Sequence, residues 1–151
     1  MKTVGRVGIV VVGWGLVSLL SLAGCSGENE HVKKGREAFE AGQFPQAIRE
    51  YTAAIESREL SETDLAQACY YRGRARYMMG ELRKAIADYT TAIELDPENA
   101  EAYYHRGITY RSNREKAKGD ADLRKAKEMG YTPKSDEPDP ADPAVTPRPQ
   151  Q

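Results

Sequence analysis

Ala66-Gln67-Ala68-Cys69-Tyr70-Tyr71-Arg72-Gly73 returns 34 residues later as Ala100-Glu101-Ala102-Tyr103-Tyr104-His105-Arg106-Gly107. Self-similarity at a fixed interval of about 20–50 residues marks a stack of supersecondary units, each too small to bury its apolar face alone. Around these two copies the apolar spacing is helical, and it predicts three helix pairs: 30–41 with 45–57, 62–79 with 82–94, and 100–111 with 115–129. Gly42 and Gly80 fall where the first helices of the first two pairs must stop, as a left-handed terminal residue requires. Pro45 sits near a helix start, where its missing donor costs nothing. Asp96-Pro97 stops the second pair, because the proline ring prevents continuation.

Each first helix carries a glycine in its middle: Gly35, Gly73 and Gly107. Each second helix carries a small–large–small run: Ala47, Tyr51, Ala54; Ala85, Tyr89, Ala92; Gly119, Leu123, Ala126. Small residues at these places let two helices approach closely. Ile48, Ile55, Ile86 and Ile93 are the expected further core. This pattern resembles the tetratricopeptide repeat over about residues 28–131, with repeats near 28–61, 66–99 and 100–131. The resemblance implies an all-α fold: a short helical solenoid of three helix-turn-helix units, with no strands.

Two places depart from the family spacing. The link at 58–65 is four residues longer, which implies an offset first stack or an extended helix. The third pair has Ser112-Asn113-Arg114-Glu115 where a glycine turn is expected. Its second helix is polar, with Lys118, Asp120, Asp122, Arg124, Lys125 and Lys127, and reads as a capping helix whose acids face water.

The two ends of the chain differ from the middle. Lys2 and Arg6 precede the apolar run Val7–Leu22, and Leu22-Ala23-Gly24-Cys25 follows. A basic start, an apolar core and a small-residue exit make an export signal over residues 1–24. The apolar run is short for a spanning helix. The last four residues resemble a bacterial lipobox, which implies lipidation of Cys25 and a tether over residues 25–30. The alternatives are a retained signal anchor and an ordinary signal peptide with a chance cysteine. Residues 132–151 hold six prolines and four acids and read as a disordered or extended spacer.

A net charge of −1 gives no basic field that would draw nucleic acid. With Cys25 modified, Cys69 is left alone, cannot form an internal disulfide, and reads as a small core residue. His31 and His105 lie in different repeats with no ligand partner at metal spacing, and no glycine-rich loop follows a strand. The glycines at 8, 13 and 15 belong to the export segment. No catalytic residue, metal or cofactor is expected.

In the resembled family the inner groove is lined by one face of each first helix. Carried across, the lining is Val32, Arg36, Phe39 and Glu40, then Tyr70, Arg74, Tyr77 and Met78, then Tyr104, Ile108, Arg111 and Ser112. Helical spacing independently puts Tyr70, Arg74 and Tyr77 on one stripe. Arginine and aromatic residues are enriched in binding hot spots. The competing reading is that the rings pack between repeats and the arginines solvate the face. The lysine and asparagine of the family's carboxylate-clamp subset are absent: their places hold Val32, Arg36, Arg74, Tyr104 and Ile108. The expected partner is another envelope protein or peptide segment, held at a membrane through Cys25. The alternatives are a self-assembling structural subunit and an accessory regulator of an envelope enzyme. The expected location is the cell membrane or, in a diderm bacterium, the outer membrane facing the periplasm. Oligomeric state is not legible.

Overall fold

The structure, a computed structural model of the full chain, describes residues 29–133. Residues 1–28, on which the expected export segment, Cys25 and tether fall, and the expected spacer beyond Pro133 lie outside the described residues. Six helices follow one another: α1 (Glu30–Glu40), α2 (Phe44–Ser57), α3 (Glu62–Met78), α4 (Leu82–Leu95), α5 (Ala100–Ser112) and α6 (Lys116–Glu128). There is no strand among the described residues. Pairs α1/α2, α3/α4 and α5/α6 stack as three helix-turn-helix units of an all-α solenoid, with α1, α3 and α5 meeting along one side.

The first helix of every pair opens on a side-chain cap. Asn29 Oδ1 accepts from His31 N at 3.0 Å, Ser61 Oγ from Asp64 N at 3.1 Å, and Asn99 Oδ1 from Ala102 N at 2.9 Å. The second helices have no side-chain cap. They start from a tight turn that closes the helix before. Gln43 N–H donates to Ala38 O, Glu81 N–H to Arg76 O and Glu115 N–H to Tyr110 O, at 2.8–2.9 Å. This is the Schellman arrangement, with one left-handed residue in its middle. That residue is Gly42 (φ 70°), Gly80 (φ 74°) and then Arg114 (φ 66°). The third pair therefore keeps the glycine turn's geometry without the glycine.

The long link does not offset the first stack. Its extra residues lengthen α3 by a turn at its start, where Ser61 caps. The packing at the two joints is the same. Tyr51 stacks on Tyr71 (centroids 6.0 Å, 13°), and Tyr89 stacks on His105 (6.2 Å, 19°). Tyr51 and Tyr89 are fully buried. The mid-helix glycines are small because their partners leave no room. A Cβ on Gly35 or Gly73 would lie 2.9 Å from a ring carbon of Tyr51 or Tyr89, and one on Gly107 would lie 2.9 Å from Leu123 Cγ. Ile93 is buried, while Ile48, Ile55 and Ile86 are half-buried at the edge of the core.

Both ends of the stack are closed by charge. α2 and α4 offer Thr52, Ile55 and Thr90, Ile93 to the helix that follows; the matching residues of α6 are Arg124 and Lys127, both exposed. α3 and α5 receive the preceding helix on Ala68, Tyr71, Ala75 and Ala102, His105, Thr109. At the same places α1 has Glu30, Lys33 and Glu37, all exposed.

Candidate functional site: the side lined by the first helices

Arg74 is the centre of the side where the first helices meet. Its guanidinium lies over the Phe39 ring at 5.1 Å, a cation–π contact that joins α3 to α1, and over the Tyr70 ring of its own helix at 5.9 Å. Phe39 in turn packs edge-on against Phe44 (5.5 Å) and Tyr71 (6.4 Å). Sequence spacing thus brings Phe39, Tyr70 and Arg74 together.

The expected lining is only partly open. Tyr70, Tyr77, Tyr104 and Ile108 are all under a tenth exposed and belong to the core, which corrects their reading as groove wall. The cause is geometric: the stripe that faces the inner side also faces the next first helix. Tyr70 meets the His105 ring of α5 at 5.7 Å, while Tyr104, on the last described first helix, is covered by Tyr131 beyond α6 at 4.9 Å. Burial pushes the Tyr70 phenol far above its ordinary range, against the opposing pull of Arg74. Burial also raises the Tyr77 phenol, and a hydrogen bond with Ser112 works the other way. Val32 and Arg111 are half-buried, and Arg111 Nε reaches Asp120 Oδ1 at 3.8 Å. What faces solvent is Arg36, Glu40 and Met78. Met78, at 43 % exposure, is the one large hydrophobic side chain counted as exposed among the described residues.

Sequence reasoning missed a second constellation, buried between repeats. Arg72 forks onto Asp88, Nε to Oδ2 at 3.1 Å and Nη2 to Oδ1 at 2.8 Å, while its Nη1 donates to Thr52 Oγ1 at 3.2 Å. Arg76 Nη1 adds a bond to Asp88 Oδ2 at 2.8 Å. One period later Arg106 forks onto Asp122 (2.7 and 3.0 Å) and donates to Thr90 at 3.2 Å. Each threonine hydroxyl donates to the carbonyl one turn back, Ile48 O and Ile86 O, which leaves its oxygen free to accept. One arginine therefore ties the second helix of its own repeat to that of the repeat before. Asp122, expected to face water, is 9 % exposed and held by this fork. Burial alone would pull the Arg106 guanidinium down; the Asp122 carboxylate outweighs it and holds the group above its ordinary value. The signal was present: the period that relates Gly73 to Gly107 also relates Arg72 to Arg106 and Asp88 to Asp122.

Cys69 is buried, and burial pushes its thiol up, away from the reactive thiolate. His31 Nδ1 pairs with Glu50 Oε2 at 2.9 Å on the surface, and His105 lies inside a joint. Among the described residues no three metal-ligating side chains cluster, and no helix is long and apolar enough to cross a membrane.

Three family models match in succession. "Tetratricopeptide repeat" covers residues 32–78, "TPR repeat" covers 73–113, and a further "Tetratricopeptide repeat" covers 100–129. These are tetratricopeptide (TPR) repeats. Among solved structures, the Arabidopsis OM64 TPR domain superposes with a TM-score of 0.61 at 26% identity, over 66% of this chain and 78% of that one. No curated protein matches. TPR repeats mediate protein–protein interaction and are typically non-catalytic modules. The Arg–Asp–Thr clamps are consistent with that reading, since their polar atoms are spent on holding repeats together.

Proposed function

We propose that the chain is a lipid-anchored adaptor of a bacterial cell envelope, which holds a segment of another envelope protein against the side lined by α1, α3 and α5. The observation that carries the binding half is Arg74 pinned over Phe39 and Tyr70, with Met78 exposed one turn along the same helix and Arg36 exposed on the neighbouring one. Such a surface suits an extended segment that brings an apolar anchor and an acidic group. The anchoring half rests on Leu22-Ala23-Gly24-Cys25 after a basic, apolar start. Two or more acyl chains on a processed cysteine suffice for stable attachment. Ser26 in place of an acid after Cys25 favours the outer membrane if the source is diderm.

The self-assembling alternative is disfavoured by the end faces. Copies stacking end to end would press Arg124 and Lys127 against Glu30, Lys33 and Glu37 without the apolar and threonine contacts of the internal joints. An accessory regulator remains a special case of the adaptor.

Two experiments test the two halves. Cys25→Ala should abolish fatty-acid labelling of the chain; unchanged labelling ends the lipoprotein reading. Affinity capture from detergent-solubilised membranes, using the full chain, should yield a partner that Met78→Glu releases. Loss of a hot-spot contact costs about 2 kcal/mol, more than tenfold in affinity. Arg49→Glu, on the exposed side of α2, should change nothing. Equal capture by both variants rules out the inner side as the binding surface.

A further inference from the structure

α6, the last helix among the described residues, presents cations on the face where a further repeat would stack. In α2 and α4 that face is Thr52, Ile55 and Thr90, Ile93, each occupied by the next first helix: Arg72 and Arg106 bond the threonines, and Ile93 is buried. In α6 the same places hold Arg124 and Lys127, with Lys125 beside them. All three are exposed and make no ion pair with any described residue, whereas Lys116 and Lys118 nearby are matched to Asp120 and Glu115 at 2.7 and 2.6 Å.

The chain that leaves α6 is mostly of opposite charge, with four acids against Lys134 and Arg148. Ala68 and Ala102 are equivalent, and one period further stands Asp136; Tyr71 and His105 are equivalent, and one period further stands Asp139. Asp136, Glu137, Asp139 and Asp142 fall within seven residues, with prolines at 138, 140 and 143 in place of helix formers. In the extended, three-residue-per-turn form that proline favours, Asp136, Asp139 and Asp142 share one edge.

The exit point is fixed. Gly130 (φ 83°) makes the same turn that closes α1, α3 and α5, with Tyr131 N–H donating to Ala126 O at 3.0 Å. The Tyr131 ring then packs on Tyr104. From Pro133 an extended chain gains roughly 10 Å in three residues, and Arg124 lies only about 6 Å of helix rise back from Glu128. A tether this short gives the acids a high effective concentration at that face.

We infer that the acidic stretch Asp136–Asp142 docks along the Arg124–Lys127 face of α6 and covers the end of the stack, in the place of a fourth first helix. The occupant is this chain's own tail. It neutralises the cations left open by the polar cap and closes that end to other chains. This goes beyond the adaptor reading and does not depend on it.

Amide NMR of the full chain in detergent micelles tests it. In one variant Asp136, Asp139 and Asp142 become Asn and Glu137 becomes Gln; in the other Arg124 and Lys127 become Gln. The first should move the amide signals of 120–129, and the second, reciprocally, those of 136–142. Both sets of shifts should vanish in about 1 M salt, where screening shortens the Debye length to about 3 Å. Arg124 and Lys127 are exposed, and in both variants the amide signals of the other helices report whether the fold is kept. Shifts of the first variant confined to the tail overturn the inference. So do shifts that fall around Arg36 and Met78, which would place the tail on the inner side. Shifts that grow with protein concentration overturn it too, because they would assign the occupant to a second copy.

Discussion

The first repeat and the two that follow share a backbone and differ in their electrostatics. In the second and third repeats, Arg72 and Arg106 stand between two second helices and are 15% and 16% exposed. In the first repeat the equivalent residue is Lys34, 49% exposed and paired with Glu30 one turn back. Glu50, equivalent to Asp88, pairs with His31 instead. The difference has one cause. Among the described residues no second helix precedes α1, so no threonine is there to meet an arginine, and Lys34 stays half exposed. A buried charge in this fold is a property of a joint rather than of a repeat.

The largest expected effect comes from removing the carboxylate that serves two arginines. Asp88→Ala leaves Arg72 and Arg76 in a low-exposure site without their acid. Breaking a buried pair from one side costs about 3–5 kcal/mol, a large share of the stability of a small domain. Chemical denaturation should show it as a lower midpoint. Replacing both members of the simpler pair, Arg106→Leu with Asp122→Leu, should cost much less than Asp122→Ala alone, because no orphaned charge remains. Equal losses would mean that the clamp's charges contribute little.

A smaller effect separates the third repeat from the others by packing. Gly119 stands where the first two repeats have Ala47 and Ala85. A Cβ there would lie 2.6 Å from Gly107 O and 2.5 Å from Arg111 Cγ. Gly119→Ala should cost about 1–3 kcal/mol through overpacking, from which alanine's helix propensity returns up to about 1 kcal/mol. A gain in stability would show that α5 and α6 can move apart freely.

The stacked helix pairs were legible because close approach demands small residues, and Gly35, Gly73, Gly107, Ala47 and Ala85 stand at fixed spacing. The sequence also shows why the inner side was misjudged. Helical spacing groups Tyr70, Arg74 and Tyr77 on one stripe, yet it cannot tell a ring facing solvent from one covered by the next first helix. Tyr70 is covered by His105, a residue from the following repeat. The clamps were missed for a related reason: Asp122 lies on a helix rich in lysine, and only its partner one helix back makes it an interior residue. The longer link was read as two alternatives, and the Ser61 cap decides between them.

The turn into α6 gives a third contrast, of opposite sign. Arg114 holds the left-handed conformation that Gly42 and Gly80 hold in the other pairs. A side chain there costs about 1–2 kcal/mol per residue relative to the right-handed form. Arg114→Gly should therefore stabilise by roughly 1 kcal/mol once glycine's greater unfolded-state entropy is deducted, raising Tm by about 4–8 °C for a domain this size. The reciprocal change, Gly80→Ala, should lower it. If Arg114→Gly lowers Tm instead, the arginine side chain contributes something beyond the turn.

The smallest effect is the one on which the opening contrast rests. Glu50→Ala removes the first repeat's counterpart of Asp88. The pair it breaks is far more open, with His31 at 47% and Glu50 at 23% exposure against 5% for Asp88. Water solvates both groups once they part, and ordering two exposed side chains offsets most of the attraction. The loss should be a few tenths of a kcal/mol and at most about 1 kcal/mol, and it should shrink further as salt screens the pair. Differential scanning calorimetry of Glu50→Ala beside Asp88→Ala makes the comparison directly. Asp88→Ala should melt many degrees lower, and Glu50→Ala should nearly overlay the wild type. Two variants that melt together would mean that the carboxylate position acts alike in the first repeat and in one that follows another, and that the clamp does not depend on a preceding repeat.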